Sequence, residues 1–143
     1  AGLDHIGAAR QHGLITHPQD FHLELVRDFH RISGVADDIA AADVNLVMAD
    51  FNRQVHAGLG TVHYAGRCAI RRHPGAHLVV AGERGPVTIL YMQGEKVAGR
   101  VMFEDARFAG ILVPAGDASF AIVGERGESL ETVERRFRAA VTS

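Results

Sequence analysis

TVHYAGRCAIRRHPGAHLVVAGERGPVTILYM, residues 61–92, is the stretch on which the fold turns. From Thr61 the chain alternates with a period of two. Val62, Tyr64, Cys68 and Ile70 share one parity, while His63, Arg67 and Ala69 share the other. Successive side chains of a strand point to opposite faces, so the first set is expected on a core-facing side and His63 away from it. His73-Pro74-Gly75 reads as a turn. The apolar runs Leu78 to Val80 and Val87 to Met92 follow as further strands.

Outward from this stretch the pattern continues toward the C-terminus. Arg100 to Phe103, Phe108 to Val113 and Ser119 to Val123 are short apolar runs, separated by Gly94-Glu95-Lys96 and Ala115-Gly116-Asp117. Short strands at this spacing predict an antiparallel sheet of about five or six strands. Several runs are apolar on both parities. Helices are therefore expected over one face, with a protein partner or a second copy of the chain over part of the other.

Toward the N-terminus the period is helical. Pro18 suits a first helical turn, and Phe21, Leu25, Phe29 and Ile32 recur along one face. A second helix is expected over Asp37 to Phe51, after the Ser33-Gly34 break, and Ala57-Gly58-Leu59-Gly60 ends the helical region. The chain closes with another helix. Ser129 is its N-cap, Leu130, Val133, Phe137, Ala140 and Val141 form its apolar stripe, and Glu131–Arg135 and Glu134–Arg138 are pairs four apart. The expected architecture is one α+β domain over residues 1–143: 1–56 mainly helical, 57–127 mainly antiparallel strands, 128–143 a closing helix.

Composition narrows the function classes. Apolar residues at 47% and charged residues at 22% in 143 residues are ordinary globular values. A formal net charge of −2 with scattered Lys and Arg provides no electrostatic footprint for nucleic acid. No apolar run approaches the roughly 20 residues that span a bilayer, so no direct membrane insertion by this segment is expected. The chain begins at Ala1 rather than Met, and an upstream region is expected in the parent protein.

The candidate chemistry centres on the lone cysteine. Cys68 lies in sequence between His63 and the pair His73 and His77. Thiolate and imidazole are preferred zinc ligands, so Cys68 with His77 is the candidate metal or thiol site. The spacing fits no standard local motif, and strand parity favours Cys68 as a small core residue. His5, His12, His17, His22 and His30 crowd the N-terminal part, where a pH-responsive surface competes with plain solvated histidines. None of Ser33, Ser119, Ser129 and Ser143 sits in a nucleophile elbow, and Gly58-Leu59-Gly60 lacks the third glycine of a dinucleotide loop. A non-enzymatic protein without a cofactor is expected. Gly82-Glu83-Arg84-Gly85 recurs as Gly124-Glu125-Arg126-Gly127, either as paired ligand loops or as two glycine-rich strand exits.

An ordered set of motifs carries a family resemblance. These are Thr61-Val62-His63-Tyr64 with Cys68, His77-Leu78-Val79-Val80, Gly85-Pro86-Val87-Thr88, Phe108 to Pro114, and Ala121 to Glu125, with Asn45 to Phe51 as a preceding helix. Together they resemble the C-terminal region of an uncharacterised bacterial domain-of-unknown-function family of anti-sigma-factor-like membrane proteins. The resemblance implies an extracytoplasmic, periplasmic domain behind a membrane span, a sensory or protein-interaction role, and Tyr64, Cys68 and His77 as signature residues. It implies no catalytic residues. Ala1 to His30 is less family-like.

Overall fold

The computed structural model describes residues 14–15, 38–70 and 73–142 of the chain. The expected helix over Phe21 to Ile32 and the histidines from His5 to His30 lie outside them. The elements, in order, are β1 (Leu14–Ile15), α1 (Ala41–Met48), a 3-10 turn (Ala49–Phe51), β2 (Gln54–Val55), β3 (Val62–Ile70), β4 (His73–Ala81), β5 (Pro86–Gln93), β6 (Lys96–Val97), β7 (Val101–Glu104), β8 (Phe108–Ala115), β9 (Ala118–Glu125), α2 (Leu130–Ala140) and β10 (Val141–Thr142). The fold is α+β and mostly sheet, as the sequence pattern predicts.

The main sheet has six strands in the order β3-β4-β5-β9-β8-β7, with every neighbouring pair antiparallel. It is two three-stranded meanders, β3-β4-β5 and β7-β8-β9, joined where β5 pairs with β9. Gly116, at φ +66°, makes the tight reversal between β8 and β9. Two small pairs supplement the sheet: β1 lies parallel to β6, and β10 lies antiparallel to β2.

Both faces of the central strands are buried. On one face Leu78, Ile89, Tyr91, Ile111, Phe120 and Ile122 pack with Met48 and Phe51 and with the α2 stripe of Leu130, Val133, Phe137 and Ala140. On the other, Leu90, Met92, Val97, Phe108, Leu112, Ala121 and Val123 form a second cluster. Runs apolar on both parities are what such two-sided burial demands.

Two local expectations fail for identifiable reasons. Pro74 and Gly75 are not a turn but residues of β4, paired with Ala69 and Cys68; the proline lies at the strand's beginning, where a missing N–H is tolerated. A β-bulge between Val62 and Tyr64 leaves His63 as the extra residue. Val62 thus joins Ala65 on the helix-covered face, and Tyr64 and Cys68 fall on the other. Parity read straight through the bulge had grouped Val62 with Tyr64 and Cys68.

α1 ends in a Schellman-type cap. Asn52 is left-handed at φ 57°, its N–H donates to Ala49 O, and Arg53 N–H donates to Met48 O. Asn45 then clamps β2: its Oδ1 accepts Val55 N–H at 2.7 Å and its Nδ2 donates to Val55 O at 3.2 Å. These contacts fix the direction in which Arg53 leaves the helix.

α2 begins at Ser129 as expected, but the hydroxyl donates to Glu83 Oε2 rather than capping the helix. Glu134 is buried within the apolar stripe. It receives Nε and Nη2 of Arg100, with Nη2 at 2.9 Å, and Nε of Arg138 at 3.4 Å. The Glu134–Arg138 pair is therefore present, whereas Arg135 turns to Thr132 Oγ1.

The two Gly-Glu-Arg-Gly segments occupy non-equivalent places. One follows the middle strand of the first meander; the other begins inside β9, the last strand of the second, with Gly124 and Glu125, and runs past its end. They meet in space. Glu128, one residue beyond the second copy, accepts the backbone N–H groups of Glu83 and Arg84 in the first, each at 2.9 Å.

Candidate functional site

A pocket of about 270 Å³ opens where the end of α2 and β10 lie over the sheet. Its position follows from the fold. β5 and β9 bring Tyr91 and Phe120 side by side in register, the stripe of α2 lays Phe137 on Phe120 with ring centroids 4.8 Å apart at 53°, and the α1 cap aims Arg53 at Tyr91. Pro114 to Gly116 form one lip, Val141 and Thr142 the other.

Among the described residues, the charged groups of the lining are Arg53 and Arg138. Arg53 donates Nε–H to the Tyr91 hydroxyl at 3.0 Å, with its guanidinium carbon 6.0 Å from the ring centroid. Arg138 stands 5.7 Å from the centre of the Phe120 ring, close enough for a cation–π contact. Its grip on Glu134 is a single long contact at 3.4 Å, while Arg100 holds that carboxylate more closely. The site is a shallow aromatic floor bordered by the guanidinium groups of Arg53 and Arg138.

Arg100, first by its hydrogen bonds and then by its charge, holds the Glu134 carboxyl below the ordinary carboxylate range against the opposing effect of burial, and Arg138 adds to it. The negative charge beside Arg138 is thus fixed at neutral pH and already matched by Arg100.

The residues singled out from sequence sit elsewhere. Tyr64 and His77 come together on the opposite sheet face, ring centroids 4.9 Å apart at 53°. Cys68 shares that face: it pairs with Gly75 in the register where Gly66 pairs with His77. It is half-buried against the second core cluster. Burial alone pushes its thiol up to about 11, which keeps it protonated at neutral pH. Among the described residues, no three of His, Cys, Asp and Glu gather as a metal-binding group. None of Tyr64, Cys68 and His77 lines the pocket.

The pocket residues escaped the sequence reading because they are far apart in the chain. Arg53 and Tyr91 meet across 38 residues, through a helix cap and a strand register that no local motif announces. Arg138 was legible only as the partner of Glu134.

Among the described residues no helix is long and apolar enough to cross a membrane. No curated protein and no solved structure matches the chain. Residues 21–141 match a family described as a protein of unknown function, DUF3379. The match begins within the N-terminal stretch that looked less family-like and runs through α2 into β10. It spans most of the 143 residues, and the chain belongs to that family.

Proposed function

We propose that this domain is a non-enzymatic sensory or protein-interaction module, carried on the extracytoplasmic side of a membrane-anchored, anti-sigma-like regulator. Its ordered sequence motifs support the regulator setting. The observation that carries the sensory role is the placement of the pocket under the closing elements. Phe137, Arg138, Val141 and Thr142 belong to α2 and β10, and the same β10 joins α2 to β2. A ligand that fills this pocket contacts the closing helix, the sheet and the end of the α1 region together. It favours the arrangement in which all three are docked, and its differential affinity for that arrangement is the signal.

Two experiments bear on the setting. The parent gene is expected to encode a membrane span upstream of this domain, and the full-length parent is expected to co-purify with a sigma factor. A parent without a span, or one that leaves every sigma factor of its host unbound, removes the regulator reading.

A further inference from the structure

The two edges of the six-stranded sheet are built differently. β3, at one edge, carries the devices that keep a strand from pairing with another chain. His63 is a bulge, Arg67 sets an exposed charge in mid-strand beside Asp50, and Ile39 N–H covers Val62 O at 2.6 Å. β7, at the other edge, has none of these in its middle. Its register with β8 is unbroken, and none of its four residues is buried. Met102, near its centre, is 59% exposed.

Hydrogen-bond parity decides what this edge offers. Asp105 N–H donates to Phe108 O, so Asp105, Phe103 and Val101 are the residues whose backbone groups face β8. Met102 and Glu104 therefore turn their N–H and C=O groups outward, and Arg100 continues that row. The side chains of the row lie on the α2 side, where Arg100 reaches Glu134 and Met102 pairs with Ile111. Val101 and Phe103 lie on the other side, against the second core cluster. Among the described residues nothing pairs with the outward row.

A second copy of β7, running antiparallel, fits this row best in one register. With Met102 opposite the partner's Met102, each Arg100 stands opposite the partner's Glu104, and each Val101 opposite the partner's Phe103. Moving the two-fold axis by one residue sets Met102 against the partner's Glu104 or Arg100, and both charge matches are lost. The favoured register forms about six backbone hydrogen bonds. Its charges meet without stripping existing contacts. Arg100 holds Glu134 through Nε and Nη2, which leaves Nη1 for the partner's Glu104, and the Glu104–Arg126 contact it competes with is long, at 3.6 Å.

We infer that β7 is a self-association edge: two copies of the chain pair antiparallel about Met102 and join their sheets into one. A seam this short buries less than the roughly 1,200 Å² of a stable interface, so the dimer is weak, with Kd on the order of 100 µM. The pairing requires neither a membrane span nor a sigma factor, so its failure is distinct from failure of the regulator setting.

The test is sedimentation equilibrium of the full chain from about 10 µM to about 1 mM, with amide hydrogen exchange followed by NMR over the same range. A dimer is expected to form within that range. Protection should rise with concentration at the Met102 and Glu104 amides and stay constant at Val101 and Phe103, which already face β8. Met102→Lys puts like charges opposite each other at the axis and should weaken the dimer at least about tenfold. Glu104→Lys should weaken it by about threefold, the scale of an exposed charge pair. Both side chains are exposed, and an unaltered spectrum over β5 and β9 shows that each variant is folded. A chain still monomeric at about 1 mM overturns the pairing. So does a dimer whose affinity Met102→Lys leaves unchanged, or one whose new protection falls on β3 instead of β7.

Discussion

The carboxylate of Glu128 rests on the backbone of Gly82: a β-carbon there would stand 2.7 Å from Oε1. The same side chain passes 3.3 Å from the β-carbon position of Gly124, the first glycine of the other copy of the tetrapeptide. One side chain therefore packs against both glycines, and through the amides of Glu83 and Arg84 its carboxylate ties the β4–β5 turn to the start of α2.

Glu128→Ala is expected to destabilise the fold by about 1 kcal/mol, the net scale of lost hydrogen bonds to a charged acceptor in a partly exposed place. Gly82→Ala acts on the same contact by steric means, and its β-carbon also stands 2.7 Å from Cγ2 of buried Val87, a separate cost. The two changes should be clearly less than additive, because either one releases the carboxylate from the turn. Urea unfolding of the two single variants and the double variant measures this. Full additivity would show that the contact does not act as a unit.

The Glu134 network sets a pH dependence. Its carboxyl is depressed in the folded state, so its contribution is present above the unfolded value, near 4.3, and is lost as pH falls through the folded value. The stability gap between the wild-type protein and Glu134→Gln should therefore be constant from pH 7 to about 5 and close below about 4. Arg100→Ala should cost on the order of 1 kcal/mol at pH 7. It is kept that small by the 40% exposure of Arg100 and by Arg138, which stays on the carboxylate. Chemical denaturation across pH reads both. A gap that widens toward acid would contradict the sign.

Cys68 should behave as a poor nucleophile. With its thiol pushed to about 11, the native protein at pH 8 holds on the order of a hundredfold less thiolate than an ordinary cysteine near 8.5. Iodoacetamide is expected to label it slowly in the native state, faster as pH rises toward 11, and at the ordinary rate in denaturant. Equal native and denatured rates at pH 8 would show that the thiol is neither buried nor raised.

Tyr64 folds back over Gly66 in its own strand, so that a β-carbon at Gly66 would stand 2.8 Å from the phenol ring carbon that bears the hydroxyl. Gly66→Ala should swing the ring off His77 at a cost of about 1 kcal/mol, a modest figure because Tyr64 is already 37% exposed. Tyr64→Ala should remove most of that penalty. A ring-current shift at His77, lost in both variants, reports the movement directly.

Much of the architecture was legible because its signals are local. The period-two runs and glycine-rich breaks locate β5, β8 and β9 with little error. The apolar stripe of α2 holds at Leu130, Val133, Phe137 and Ala140. What sequence conceals is any feature that depends on a partner strand. His63 looks like any alternating residue until β4 shows it to be an insertion, and that single residue moves Tyr64 and Cys68 to the other face. Pro74 read as punctuation, yet its pairing with Ala69 places it inside β4. The pocket was the least legible of all. Arg53 comes from the connection before β2, Tyr91 from β5, Phe120 from β9 and Arg138 from α2, and sheet order alone puts Tyr91 beside Phe120.

The two-residue pairing of β10 with β2 has a mechanical meaning. Val141 faces Val55 and Thr142 faces Gln54, and the Thr142 hydroxyl meets His56 Nε2 at 2.8 Å. Tension applied at Thr142 loads this short antiparallel seam one residue pair at a time, while the six-stranded sheet carries its load across many hydrogen bonds at once. The seam yields first. Opening the seam would lift Val141 and Thr142, one wall of the pocket, while the sheet stayed whole.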